Sequence, residues 1–399
     1  MLFRSVPAPV SAEGLRLAIF TDTWPPQVNG VARTLERLAG AIEARGGAVR
    51  IATVADPDAA MDAREDRWPS VPFWAYPQLR IAAPSRMRAI DLIEGFKPTL
   101  VHATTEFGVG LAGVFAAREA GVPLVTSYHT HFKAYLEFYR LSFLGPIAWP
   151  YLRWFHNLGV RTFAPSGIVA RELETMGFHG MRVWSRGVDV DRFGPSFRTA
   201  DARRRLGATR DEQVVVAYVG RLAHEKGVRV LLRAMHAVRE RVGDRVVFAV
   251  VGDGPAEAEC RAGAPAGTVF TGKLTGRALS EAYASADLFA FPSITETFGN
   301  VVLEAMASGL AVIAPDTGAT TEYATPETSL QFRAQDPGSL ADAIIRLADA
   351  PALRARVQAG GRATAAARTW DSVFDRLLAD YLEAVSIAQA SREMSAINR

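Results

Sequence analysis

The sequence predicts an α/β protein of two domains, each a doubly wound parallel sheet, and three observations carry that expectation. The chain has 399 residues, more than one hydrophobic core usually covers, so two domains of about 200 residues are expected. Short, apolar, β-branched runs alternate with amphipathic helical stretches in two series, the pattern of strands buried on both faces and separated by covering helices. Between the series, residues 185–197 (SRGVDVDRFGPSF) lose helical periodicity and are punctuated by Gly187, Gly194 and Pro195, which marks a linker. The expected partition is an N-terminal domain over 1–190, a C-terminal domain over 191–368, and a helical tail over 369–399 that packs back on the N-terminal domain.

The elements follow in order. The opening MLFRSVPAPVSAEG places Arg4, prolines and Glu13 where a secretory leader needs an unbroken apolar stretch. The first series of strands is LRLAIF, AVRIATV, TLVHATT, PLVTSYH and RTFAPS. After the first of these, the loop TDTWPPQVNGV leads to Gly30, which opens a helix with Val31, Leu35, Leu38 and Ile42 on one side. The apolar run at 141–152 is cut by Ser142, Gly145, Pro146 and Pro150 and is shorter than the roughly 20 residues that span a bilayer. The second series is QVVVAYVG, RVVFAVVG, LFAFPS and LAVIAP. From Pro351 onward the chain reads as helix, with Trp370, Val373, Phe374 and Leu377 on one face.

Bulk composition narrows the function. Hydrophobic residues make up 49% and charged residues 22%, far from the disordered class. The formal charge of +3 comes without a dense Lys/Arg block, so no nucleic-acid footprint is expected. Cys260 is the only cysteine, which suits a reducing, cytoplasmic compartment.

Chemistry is expected at the carboxyl ends of the strands, where loops and helix starts converge. GRLAHEKG (220–227) joins the strand VVVAYV to a helix bearing Val230, Leu231, Ala234 and Val238. Arg221 and Lys226 therefore sit beside backbone N–H groups of a helix start, an arrangement suited to a diphosphate; a merely solvated basic pair is the competing reading. Gly30 lets backbone approach a phosphate closely, or serves turn chemistry alone. No G-x-G-x-x-G follows the first strand, which counts against a dehydrogenase. In ETFGNVVLEAMASG (296–309), Glu296 falls in the loop after a strand and Glu304 about two turns inside the next helix. A carboxylate in that apolar helix must find donors: a ribose diol supplies them, and a salt bridge to an arginine is the alternative.

These stretches, together with TSYHTHF, FAPS, RGVDVDRFGP, VVGDGP and FTGKL, resemble the retaining nucleotide-sugar glycosyltransferases of family four, over nearly the whole chain. The opening TDTWPPQVNGVARTL looks most like the bacterial GDP-mannose-dependent α-mannosyltransferases and sulfolipid-synthase-like members. The resemblance implies the GT-B fold, two Rossmann-like domains facing a cleft, and transfer of a mannose- or glucose-type hexose from a GDP- or UDP-linked donor to a lipid or glycan acceptor. It implies that Arg221 and Lys226 neutralise the donor diphosphate, that Gly30 approaches its distal phosphate, and that Glu304 holds the ribose. Glu296 would contact sugar hydroxyls, Phe298, Gly299, Asn300 and Val301 would present backbone amides, and Gly272, Lys273 and Leu274 would contact the base. His129 matches the family histidine that lines the sugar site; a lone histidine would otherwise read as structural, and His131 is a weaker match. Ala319, in DTGATTE, stands where many members carry a second glycine.

No metal or other cofactor is expected, since two fixed cations and helix N-termini stabilise a leaving diphosphate. The D-x-D strings Asp56/Asp58 and Asp189/Asp191 are read as turn-supporting. Nine aromatics between His131 and Phe155, interleaved with Lys133, Arg140 and Arg153, suit a peripheral contact with an anionic membrane or a lipid-linked acceptor, or else form core. Arg80, Arg86 and Arg88 add to a basic face that Asp91 and Glu94 dilute. A sugar-nucleotide epimerase and a non-catalytic nucleotide-sugar-binding paralogue are the rival functions.

Overall fold

The computed structural model describes residues 9–27, 29–73, 76–129 and 145–397. The chain forms two compact units: Met1–Ser185 together with Val373–Arg399, and Arg186–Ser372.

The first unit is built on a seven-stranded parallel sheet. Its strands are β1 (Arg16–Phe20), β2 (Ala48–Val54), β3 (Glu65–Trp68), β6 (Leu100–Ala103), β7 (Leu124–Ser127), β8 (Arg161–Ala164) and β9 (Met181–Val183), in the order β3-β2-β1-β6-β7-β8-β9. A hairpin of β4 (Ser70–Phe73) and β5 (Tyr76–Ala82) stands outside that sheet. The strand order reverses between β1 and β6, so the loop leaving β1 lies at a topological switch point. That loop runs into the helix Gly30–Ala44, whose N-cap Asn29 accepts a hydrogen bond from Ala32 N at 2.8 Å, and whose face of Ala32, Leu35, Leu38 and Ile42 is buried. β3 and the hairpin are absent from the sequence reading for a physical reason. β3 reads EDRW and forms a sheet edge, where charged side chains reach solvent and the period-2 signal fades.

The second unit has six parallel strands, β10 (Val214–Val219), β11 (Val246–Val251), β12 (Val269–Gly272), β13 (Leu288–Ala290), β14 (Ala311–Pro315) and β15 (Leu330–Phe332), in the order β12-β11-β10-β13-β14-β15. Alternate residues enter different cores. Val215, Ala217, Val219, Val247, Ala249 and Val251 pack on one face, and Val214, Val216, Tyr218, Val246, Phe248 and Val250 on the other. This two-sided burial is why these strands read as unbroken apolar runs. Here the switch point falls between β10 and β13.

The last helix, Trp370–Ile397, returns the chain to the first unit, burying Val373, Phe374, Leu377, Leu378 and Tyr381. Asp375 accepts from Arg45 Nε at 3.1 Å and Glu383 from Arg161 at 3.0 Å, tying it to that unit.

Candidate functional site

In the second unit, the loops leaving β10 and β13 meet in a pocket of about 200 Å³ lined by Tyr218, Gly220, Arg221, Lys226, Phe291, Ser293, Glu296 and Val301. Two glycines shape it. Gly227 has φ +72°, and a Cβ there would lie 2.5 Å from the carbonyl oxygen of Pro292, so only a glycine lets the two loops close on each other. Gly299, at φ +88°, swings the chain into the helix Asn300–Ala307, whose amino end thereby meets the pocket rim at Val301.

The charged groups pair across the pocket. Lys226 Nζ lies 2.6 Å from Glu296 Oε1, each side chain about three-quarters shielded. Arg221 pairs with Glu225 four residues on and stays half exposed. Glu225 is held in turn, its carbonyl accepting from Thr295 Oγ1 at 3.0 Å, and Arg221's carbonyl accepts from Tyr218 at 3.0 Å. Burial, with Glu296 nearby, raises the Tyr218 phenol well above its ordinary pKa, so it remains a donor. Among the described residues, Ser293 Oγ on the pocket wall and Asn300 Oδ1 at the start of the neighbouring helix are buried without a partner, and buried polar groups of that kind call for one.

Glu304 is half buried, in the second turn of its helix. The helix begins at Asn300, later than the sequence suggests, because Gly299 still has left-handed backbone. Its carboxylate accepts from the Tyr283 hydroxyl at 2.9 Å, and burial beside Glu304 holds that phenol protonated. Tyr283 answers part of the donor requirement that the sequence reading assigned to a ribose or an arginine. Phe298 is a core residue: its ring stacks on Tyr323, centroids 5.1 Å apart, and Tyr323 donates to the carbonyls of Phe298 and Gly299 at 2.6 and 2.9 Å. Ala319 is buried in a turn that Gly318 opens at φ +90°.

Gly272, Lys273 and Leu274 sit at the end of β12, two strands from β10, and do not line this pocket. Lys273 is exposed, and Leu274 packs on the core.

Gly30 and His129 belong to the first unit. A Cβ on Gly30 would meet nothing within 4 Å, so the fold itself does not demand glycine there. His129 follows the carboxyl end of β7, its Nε2 2.8 Å from Ser127 Oγ. His131, Lys133 and Arg140 lie outside the described residues. Arg80 donates to the carbonyl of Ala55 at 2.8 Å, Arg86 pairs with Glu119 and Arg88 with Asp66, so this basic patch is internally compensated. Asp56 Oδ1 accepts from Asp58 N and Asp189 Oδ1 from Arg192 N, at 3.0 and 3.1 Å, both turn contacts.

Sequence reasoning missed Ser293, Tyr218, Tyr283 and Tyr323. Ser293 alone left a signal, since it closes LFAFPS at a strand end beside the switch point.

Paired cations on one switch-point loop and a glutamate on the other, carried by the second of two parallel-sheet units, match a glycosyltransferase of the GT-B fold. A family model described as Glycosyltransferase Family 4 matches residues 28–192, and one described as Glycosyl transferases group 1 matches 213–350. The chain is 36% identical over 379 residues to a GDP-mannose-dependent alpha-mannosyltransferase of Mycobacterium tuberculosis, covering 92% of this chain and 96% of that protein. It is 34% identical over 346 residues to sulfoquinovosyl transferase SQD2 of Arabidopsis thaliana, covering 83% and 66%. The solved structure of sucrose-phosphate synthase from Thermosynechococcus elongatus shares the fold, with a TM-score of 0.70 at 22% identity over 96% of this chain and 100% of that one. The chain belongs to glycosyltransferase family 4.

Proposed function

We propose that this enzyme is a retaining hexosyltransferase that works without a metal ion and moves a mannose- or glucose-type sugar from a GDP- or UDP-linked donor to a lipid or glycan acceptor. The observation that carries the reading is the switch-point pocket, where Arg221, Lys226 and Glu296 share a wall with Ser293, whose buried Oγ has no partner among the described residues. The relative in Mycobacterium tuberculosis, named for its dependence on GDP-mannose, supports that donor.

Lys226 and Glu296 hold each other at 2.6 Å, so a diphosphate entering the pocket competes with Glu296 for the ammonium. Capture of Lys226 by phosphate releases the Glu296 carboxylate to the sugar hydroxyls. When the bond between the anomeric carbon and the diphosphate breaks, its electron pair stays on the diphosphate oxygen, where Lys226 and Arg221 meet the charge. Backbone amides opening the helix Asn300–Ala307 add to them. The acceptor oxygen bonds to the anomeric carbon on the face the diphosphate leaves and passes its proton to the leaving phosphate oxygen, so configuration is kept. Glu304, set by Tyr283, takes the ribose hydroxyls.

The acceptor side belongs to the same proposal. Phe107, Phe115, Ile147 and Trp154 are exposed on the first unit, with Phe107 stacked on Tyr151 and Trp154 5.8 Å from Tyr151. Clustered exposed aromatics suit a membrane interface, and we assign them a peripheral contact at the cytoplasmic face of the bilayer. Among the described residues no helix is long and apolar enough to cross a membrane.

The test is a thermal-shift screen against GDP-, UDP- and ADP-sugars in EDTA, followed by transfer to a lipid acceptor and determination of the product anomer. A GDP- or UDP-sugar should raise the melting temperature and give an α-linked product from an α-linked donor. A β-linked product, or activity that vanishes with EDTA and returns with a divalent ion, defeats the corresponding part of the reading.

A further inference from the structure

Each cation of the switch-point pocket is held by a carboxylate, and the two carboxylates are placed differently. Glu296, the partner of Lys226, lines the pocket. Glu225, the partner of Arg221, does not line it, and its side chain is 17% exposed against 47% for Arg221. Among the described residues, Arg221 is the one cation paired with Glu225.

Glu225 sits on a pinned turn, whereas the Arg221 side chain is loosely held. The turn His224–Lys226 closes with Lys226 N donating to Ala223 O at 2.9 Å and Gly227 N to His224 O at 3.1 Å. From the other loop, Thr295 Oγ1 donates to the Glu225 carbonyl at 3.0 Å. Arg221 uses a single nitrogen on Glu225, which leaves most of the five N–H donors of its guanidinium for a further partner. Two oxygens of a diphosphate match that planar fork better than one carboxylate oxygen does. A ligand nevertheless meets competition, because a carboxylate tethered four residues away is always at hand, at an effective concentration on the millimolar scale. When Glu296 gives up Lys226, sugar hydroxyls receive it. Glu225 does not reach the pocket, so its charge stays behind the bound phosphates and opposes them.

We propose that Glu225 is a resident counter-anion of Arg221, displaced when a diphosphate takes the guanidinium and re-pairing with it as the nucleoside diphosphate leaves, so that it loosens the hold on product. It acts through Arg221 and touches no ligand. The effect is largest on the product. A released nucleoside diphosphate ends in a free phosphate, which ionises a second time at about pH 6 and so carries more charge than the esterified diphosphate of the donor. The inference rests on the reading of this pocket as the donor-diphosphate site.

The experiment is calorimetric titration of the full chain, wild type and Glu225→Gln, with GDP, UDP and inorganic pyrophosphate. The variant should keep the wild-type melting temperature, since a partly exposed pair contributes little to folding. Its Kd for pyrophosphate and for the nucleoside diphosphate should fall roughly three- to tenfold, the scale of removing a partly screened unit charge from beside a phosphate. In the transferase assay the product inhibition constant should fall by the same factor, and the donor KM by less. In an Arg221→Gln background the substitution at Glu225 should bring no gain. Unchanged or weaker binding in Glu225→Gln overturns the proposal and makes Glu225 an orienter of Arg221, and a gain that persists without Arg221 overturns the route. Tighter pyrophosphate with no binding of GDP or UDP upholds the counter-anion and removes the nucleotide-sugar reading. Binding of none of the three by either form removes both.

Discussion

Lys226 and Glu296 are 70 residues apart, and no spacing rule links them; what the sequence showed was each one's place on a strand-end loop. The pairing explains how two opposite charges persist in a half-closed pocket, and it makes Lys226→Ala informative. That variant should keep the wild-type melting temperature to within a few degrees, because a partly exposed pair adds only about 0–1 kcal/mol. Its turnover should fall by roughly 100-fold or more, the scale of losing a preorganised charge at a leaving group. Steady-state kinetics beside a melting curve checks both halves. Glu304 shows the opposite balance: its embedding in an apolar helix was legible, whereas its donor, Tyr283, sits on another helix and left no mark in the local pattern. Asp22 was not singled out at all. It is buried under the helix Gly108–Glu119, accepting from Thr105 Oγ1 at 2.6 Å and Val109 N at 3.1 Å, and desolvation raises its pKa from 3.8 to about 6 despite those bonds. The folded chain thus binds a proton between pH 3.8 and about 6 that the unfolded chain has released. This contribution is full below 3.8 and is lost as pH climbs through about 6. Asp22→Asn should flatten that slope, read as the difference in melting temperature from wild type across the window, and an identical profile would remove the assignment.

Strands and helices were legible to the extent that burial was one-sided or complete. β10 and β11 gave unbroken, valine-rich apolar runs because both faces of their sheet are covered, and the helix Val228–Val242 showed a stripe because only Leu231, Ala234, Met235, Val238 and their neighbours are buried. β3 escaped because EDRW lies at an edge, and the start of Asn300–Ala307 was misplaced because Gly299 belongs to the loop. The loops' approach to each other was invisible, since it depends on a glycine of one meeting a carbonyl of the other. Gly227→Ala tests that approach. The alanine would need φ +72° and would bring Cβ to 2.5 Å from Pro292 O. The expected cost is about 1–3 kcal/mol, measured by denaturant unfolding, with a larger loss of donor affinity as the loops part. Full donor affinity in that variant would show that the pocket does not depend on their closure.

At the scale of the molecule, the chain leaves its first unit at Ser185 and re-enters it at Val373, so neither half of the sequence is a complete unit. All seven strands of the first sheet precede the crossing, yet part of its cover arrives last, with Phe374, Leu377, Leu378 and Tyr381 each 3% exposed or less. A chain ending at residue 372 keeps the second unit whole and strips the first of that cover. Losing several fully buried apolar side chains at about 1.5–3 kcal/mol each exceeds the 5–15 kcal/mol margin on which a domain stands, or consumes most of it. The second unit should still bind a GDP- or UDP-sugar if the donor pocket lies within Arg186–Ser372, as proposed. Calorimetry of the truncated chain should therefore show one transition raised by the nucleotide sugar, and hydrogen exchange should show early loss of protection in β1, β6 and β7. Retained protection in those strands would mean that the tail is dispensable to the unit it joins. Loss of nucleotide-sugar binding alongside an intact second unit would mean that the donor site needs more than the residues around Lys226.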